Sequence, residues 1–359
     1  MDLVAPRRFG ATVRARADVL PWWAEALAIG SLSRVYSLVL IGLAAMRAER
    51  LAPGLWPEPL AIWDGGWYLR IAAFGYHAAP IQGYQDFAFF PLWPFAIRLF
   101  SLGGLIPLGG SAFVLANISF LVASVMVFRI FSAISDRSSA RVGVALLAFG
   151  PGAYIFTLAY SESMFVLLAA ASLCTFHGRR AVFIVLAQLT RLTGVALTLG
   201  ALAEGLRHRD PRQGLLVLVG GVALLAWWVF IWALTGDPVG YMRGTPSWQR
   251  ATTGFPSVLE GPYGMGVLAL GYVLVMLWGS VRLIRAGRTG LGIYGVAIVA
   301  SAIMFGGWSD MPRYAMAAFP ANVAIAELMP TARSRVLLVV LFAALQAAWV
   351  VAVYSGFTP

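Results

Sequence analysis

Apolar runs of roughly twenty residues recur from Leu27 to Tyr354, and they leave few architectures open to this chain. The clearest cover 27–46, 111–131, 215–234, 265–284 and 336–354, with 140–158, 291–306 and 311–328 between them. A helix needs about twenty such residues to cross a ~30 Å hydrocarbon core. A membrane β-barrel would instead show segments of about ten residues alternating in polarity, and none is present. The chain reads as an all-α polytopic membrane protein. Composition agrees: 11% of residues are charged, against about 25% in a soluble domain.

The net charge of +11 does not indicate nucleic acid. Every one of the 26 basic residues is Arg, and most sit in short loops between apolar runs, as a positive-inside bias requires. Arg7, Arg8, Arg14 and Arg16 precede the first run, so residues 1–26 read as a cytoplasmic N-terminus leading into an uncleaved anchor helix. Cys174 is alone, and His77, His177 and His208 lack ligand spacing, which removes an internal disulfide and a His/Cys metal site.

Following the loops outward and inward predicts about nine full spans plus a helical hairpin, as one membrane domain over 1–359. Residues 47–110 form a long first outer loop. Within it, Phe87–Phe100 is too short to cross and is broken by Pro91 and Pro94, so it reads as interfacial or re-entrant. Residues 181–206 begin and end beside arginines, which predicts two short helices entering from the cytoplasm and turning at Arg191. Residues 235–264 form a second large outer loop. Seventeen arginines then fall inside, seven outside, and Arg34 and Arg191 within the membrane.

This topology gathers the polar residues on the outer face. Asp64 and Arg70 lie in the first loop, inside or just after the run Trp63-Asp64-Gly65-Gly66-Trp67-Tyr68, with Asp86 at the end of its polar stretch. Glu162 sits at the next outer turn. Asp237, Tyr241, Arg243, Trp248 and Arg250 occupy the second loop, and Asp310, Arg313 and Tyr314 the last outer turn. Carboxylates, arginines and aromatic rings above a greasy body suit a lipid-linked polar substrate. Rings stack on sugars, and the planar guanidinium fork matches phosphate.

Each residue also has a plainer role open to it. Asp64 can cap a helix over 65–74 whose apolar face is Trp67, Ile71 and Phe74. Glu162 can cap the following span. Arg191, costly inside a membrane at about 2.5–3.5 kcal/mol, can cap hairpin carbonyls or face a cavity. Arg313 can anchor at the interface, Arg243 and Arg250 can be solvated, and Trp22, Trp23 and Trp349 read as interfacial belt residues.

Five runs in order resemble one family. They are Trp63-Asp64-Gly65-Gly66-Trp67-Tyr68 with Gly75-Tyr76, Phe89-Phe90-Pro91-Leu92-Trp93-Pro94, Tyr160-Ser161-Glu162-Ser163, Leu189-Thr190-Arg191-Leu192-Thr193-Gly194, and Pro312-Arg313-Tyr314 with Pro320. Together they resemble the PIG-V-type mannosyltransferases of the GT-C superfamily, departing at Leu192 where many relatives carry Pro. The resemblance implies a GT-C-like bundle that takes mannose from polyprenyl-phosphate-mannose and passes it to a glycolipid or glycan acceptor. It implies a first-loop catalytic Asp, here Asp64. Arg313, Arg191 and Arg70 are then candidates for the donor phosphate, and Trp63, Trp67, Tyr68, Glu162, Asp310 and Tyr314 for substrate contacts. No cofactor or metal is expected, although a divalent ion between Asp64 and Glu162 stays open. The absence of Lys points to a GC-rich bacterial genome, hence a bacterial plasma membrane with the site outside. A transporter or flippase of a lipid-linked anion is the alternative, since an intramembrane Arg and broken segments suit it.

Overall fold

The computed structural model describes residues 20–48, 60–81, 83–175, 177–244, 264–305 and 310–355. The N-terminal arginines, Trp248, Arg250 and most of the second outer loop lie outside the described residues. In chain order the helices are α1 (Trp22–Arg47), α2 (Asp64–Phe74), α3 (Leu92–Phe100), α4 (Leu108–Ile134), α5 (Arg137–Ala148), α6 (Glu162–Cys174), α7 (His177–Thr190), α8 (Val195–His208), α9 (Pro211–Thr235), α10 (Gly240–Gly244), α11 (Met265–Arg285), α12 (Thr289–Phe305), α13 (Met311–Ala315), α14 (Ala321–Ala326) and α15 (Ala332–Tyr354). Among the described residues there is no strand, only an isolated bridge between Ile81 and Tyr84.

Five of these helices, α1, α4, α9, α11 and α15, are long and apolar enough to cross a membrane. The nine full spans expected from hydropathy are not confirmed among the described residues, where two of the apolar runs are divided into shorter helices. The 140–158 run is the twelve-residue α5, a Gly150-Pro151-Gly152 break, and a 3-10 turn from Ala153 to Thr157. The 311–328 run is divided into α13, a 3-10 turn at Met316–Ala318, and α14 behind Pro320. α6 has thirteen residues, a rise of only about 20 Å. Segments like these lie in the bundle with their ends satisfied by neighbours.

Arg34 is one such neighbour. It sits on α1, buried, and donates to the carbonyls of Ala148 (3.3 Å) and Ala153 (3.1 Å) and to Thr157 Oγ1 (2.8 Å). Its guanidinium lies 4.2 Å from the centroid of Phe120, which stacks on Phe156. The cation thus closes off the carbonyl end of α5 and the turn after it, where helical partners are missing. Arg34→Met is expected to lower stability by about 1–3 kcal/mol, the cost of buried acceptors left bare. An unchanged unfolding midpoint in detergent would count against this role.

Helix starts follow from local chemistry. Asp136, Asp210 and Thr331 cap α5, α9 and α15 through side-chain oxygens on early amides, and Pro211 opens α9. Hydrogen bonds to Ser139 and to early α5 amides hold the Asp136 carboxyl below its ordinary range. Ion pairs then gather the basic ends on one side. Glu25 pairs with Arg137 (3.0 Å) and Arg141 (2.9 Å), and Arg335 reaches Ser138 and Ser139. The start of α1, the α4–α5 turn and the start of α15 therefore share a face, and α5 runs away from it towards Glu162.

The predicted hairpin is a real reversal. α7 and α8 have fourteen residues each and are separated by extended Arg191 and a 3-10 turn. Gln188 donates to Thr198 Oγ1 at 2.7 Å, a contact that ten residues of straight helix, about 15 Å, would forbid. Gly194 packs so tightly on the Gln188 backbone that a Cβ there would meet its amide nitrogen at 2.6 Å. Among the expected interfacial elements, α3 has only nine residues, with Trp93, Pro94 and Ile97 inside and Phe95 and Leu99 exposed. α2 packs on it, and Arg98 caps the end of α2 at the carbonyls of Ala72 (2.7 Å) and Ala73 (2.9 Å). Two expectations need correcting. The inward face of α2 is Gly65, Tyr68, Ile71 and Ala72, with Phe74 exposed. Trp349 is fully buried on the packed face of α15 and is no belt residue, whereas Trp22 and Trp23 are exposed.

Candidate active site

The polar residues of four distant segments meet at the far end of α5. The first tie is backbone: Ala159 N donates to Leu60 O at 2.8 Å, which brings the start of α2 beside the start of α6. Trp93 Nε1 reinforces it from α3 by donating to Ala159 O at 3.1 Å. Tyr68, one turn into α2, meets Ser161 Oγ at 2.9 Å. These contacts hold Asp64 and Glu162, the first residues of α2 and α6, at one locus.

Arg313 stands between them. Its Nη2 pairs with Asp64 and its Nε with Glu162 Oε1 at 2.5 Å, while Asp310 lies 3.8 Å from Nη1. Arg191 Nη1 reaches the same Glu162 oxygen at 2.7 Å and Ser161 Oγ at 3.1 Å. Glu162 therefore binds two guanidinium groups through one oxygen, and its Oε2 is buried with no hydrogen-bond partner among the described residues. Tyr160 and Tyr314 place their ring centroids 4.6 and 5.2 Å from the Arg313 guanidinium, and Tyr314 also lies 5.3 Å from Arg191. Aromatic faces stabilise cations at such distances. A narrow cavity runs beside the cluster, lined by Glu162, Arg191, Thr193, Arg313, Tyr314 and apolar residues.

The plainer roles for these residues give way. Asp64 does not cap α2: Trp63 holds the cap position at φ 45°, and the carboxylate turns to Arg313. Glu162 binds arginines, Arg191 pairs with Glu162, and Arg313 is buried and held by Asp64 and Glu162. Side-chain exposure grades the four charges: 5% for Arg313, 6% for Glu162, 14% for Arg191 and 23% for Asp64. Asp64 is the one most open to an incoming group. Burial pushes the Tyr160 phenol well above its ordinary value, so it stays neutral at working pH.

Of the residues singled out in the sequence, Asp64, Tyr68, Glu162, Arg191, Asp310, Arg313 and Tyr314 converge. Arg70 does not; it is exposed, with its guanidinium 6.0 Å from the ring of Trp67. Trp67 itself stacks on Phe89, and Trp63 meets the Tyr354 ring. Asp86 is buried elsewhere, accepting from the His77 backbone (3.0 Å) and ring (2.9 Å). Asp237 pairs with Arg243. Among the described residues no group of three or more Asp, Glu, His or Cys gathers as metal ligands would.

Gly152 is a contributor that sequence reasoning missed. A Cβ there would lie 2.9 Å from both Cα and N of Arg313, so only Gly lets α13 rest on the turn after α5. The 140–158 run was expected as one span, and nothing in it pointed to Gly152 or to its partner in space. Gly152→Ala is expected to cost about 1–3 kcal/mol through overpacking and to displace Arg313. Thermal unfolding together with an activity assay checks this; a normal midpoint with full activity would refute it.

Taken together, these features define an integral membrane protein with one buried, arginine-clamped pair of carboxylates at the end of its broken helices. Residues 39–202 match the family model for mannosyltransferase (PIG-V), which bears out the resemblance carried by the sequence motifs. Over that stretch, which includes Asp64, Tyr68, Glu162 and Arg191, the chain is similar to the PIG-V-type mannosyltransferases. Arg313, Asp310 and Tyr314 lie beyond the matched residues. No match is found among curated proteins or among solved structures.

Proposed function

We propose that this protein is an inverting mannosyltransferase that uses polyprenyl-phosphate-mannose on the outer face of a bacterial plasma membrane. The observation that carries this is the Asp64–Arg313–Glu162–Arg191 cluster, in which a partly open carboxylate pairs with buried Arg313 and Glu162 joins that arginine to half-buried Arg191. Asp64 takes the proton of the acceptor hydroxyl as that oxygen attacks the anomeric carbon. The bond from that carbon to the phosphate oxygen breaks, and its electron pair leaves with the lipid phosphate. Arg313 and Arg191 stabilise the charge that develops there, as fixed donors in a water-poor site do. This chemistry asks for no metal, because guanidinium groups do the phosphate work. Nucleotide sugars are not normally available outside the membrane, which favours a lipid-carried donor.

Tyr68 and Tyr314 line the same locus and suit the sugar and acceptor. Asp310, beside Arg313, is placed to bind a hydroxyl. The acceptor is a glycolipid or glycan hydroxyl presented at the membrane surface. Membranes carrying the protein, given labelled polyprenyl-phosphate-mannose and candidate acceptors, are expected to form labelled acceptor. Label that crosses the bilayer without covalent transfer would instead establish the transporter reading.

A further inference from the structure

We infer that Asp64 and the lipid phosphate compete for Arg313, so that Arg313 passes from the carboxylate to the phosphate as the sugar is transferred. The inference rests on the donor reading above. Its starting point is that neither arginine is vacant in the resting site. Arg313 is committed to Asp64 through Nη2 and to Glu162 through Nε, and Arg191 is committed to the same Glu162 oxygen. Asp64, Glu162, Arg191 and Arg313 together sum to zero charge, and Asp310, 3.8 Å from Arg313 Nη1, adds one negative charge. The donor's phosphate monoanion therefore meets an Arg313 whose Nη2 and Nε are already taken by carboxylates.

The two carboxylates are not equally replaceable. Glu162 is buried, holds two cations and sits at the fixed start of α6. Asp64 holds one cation and is the most exposed member. The contact that yields is therefore Arg313 to Asp64. Tyr160 and Tyr314 flank Arg313, and Glu162 grips its Nε. The guanidinium can thus change partners at its outer nitrogens while its stem stays fixed.

Charge accounting through the reaction supports the same exchange. The donor is a phosphodiester with one negative charge, and the departing polyprenyl phosphate carries two once the sugar leaves. The acceptor's proton meanwhile neutralises Asp64. One unit of negative charge disappears from the Asp64 side and one appears on the phosphate, so the site total is unchanged. Arg313 follows the charge. Asp64 thereby has two tasks: it accepts the proton, and before that it holds Arg313 back from the lipid phosphate. Arg313 links them, and it loses its hold on the base only as the leaving group becomes able to replace it.

The test is a binding measurement, independent of turnover. Purified full-length wild type, Asp64→Asn, Asp64→Ser, Arg313→Gln and the Asp64→Asn/Arg313→Gln double variant are titrated with polyprenyl phosphate in lipid nanodiscs. Both Asp64 variants are expected to bind it at least about fivefold more tightly than wild type, the lower end of ordinary coupling between two sites. Arg313→Gln is expected to bind more weakly, and the double variant to match Arg313→Gln, because the gain passes through Arg313. Equal or weaker binding by both Asp64 variants, or tighter binding that persists without Arg313, would overturn the inference. If wild type transfers mannose yet Asp64→Asn binds like wild type, only the exchange falls. A wild type that neither binds polyprenyl phosphate nor transfers mannose would overturn both readings.

Discussion

Asp64→Asn is expected to lower the rate of mannosyl transfer by about 10²–10⁴, the usual contribution of a positioned general base, with normal protein yield. Asn keeps the size of the side chain and can still accept a hydrogen bond from Arg313. It cannot accept a proton from the acceptor. The variant also separates catalysis from helix capping, since Asn caps about as well as Asp. Trp63, not Asp64, occupies the cap position of α2, so the loss is chemical in origin. Initial rates with labelled donor, normalised to protein in the membrane, give the answer. A rate within a few-fold of wild type would remove Asp64 from the reaction.

Glu162→Ala is expected to be the most damaging single change to the fold, costing about 3–5 kcal/mol, as removal of one partner from a buried ion pair does. Its oxygen compensates Arg191 and Arg313 together, at 2.7 and 2.5 Å. Without it two buried cations face each other with only Asp64 and the more distant Asp310 remaining. Asp64→Asn costs less, because Arg313 keeps Glu162 and the Asp64 side chain is partly exposed. The order of unfolding midpoints should therefore be wild type, then Asp64→Asn, then Glu162→Ala. A Glu162→Ala protein as stable as Asp64→Asn would contradict the role of Glu162 as the common counterion. Activity should fall in both, in Glu162→Ala chiefly because the two arginines lose their positions.

Much of this arrangement is legible in the residues alone, and the illegible part has identifiable causes. Hydropathy reveals the membrane class because about twenty apolar residues have few alternatives to a spanning helix. Its span count is not confirmed where Gly150-Pro151-Gly152 interrupts the 140–158 run and a 3-10 turn before Pro320 divides the 311–328 run, since hydropathy averages over backbone geometry. Arg191 is conspicuous because a charge in an apolar run requires a reason, and the reversal at Arg191 follows from the arginines flanking the 181–206 run. Arg34 is equally conspicuous, yet its role could not be read: it serves carbonyls more than a hundred residues away. Asp64, Glu162 and Arg313 each stand out as polar groups in greasy surroundings, but their shared contacts depend on the Leu60–Ala159 backbone tie and on Gly152, neither of which has a sequence signature. Arg70 resembles them in sequence and lies apart in space, because α2 turns it outward on the face opposite Tyr68 and Ile71.

The central claim is a single displacement at the anomeric carbon, with Asp64 taking the proton and the lipid phosphate leaving. The most direct measurement is the configuration of that carbon in the product made by purified protein from polyprenyl-phosphate-mannose of known anomeric form, with released polyprenyl phosphate counted alongside. The expected result is complete inversion, one polyprenyl phosphate for each mannose transferred, and no product from Asp64→Asn. Retained configuration, or transfer that survives in Asp64→Asn, would contradict it.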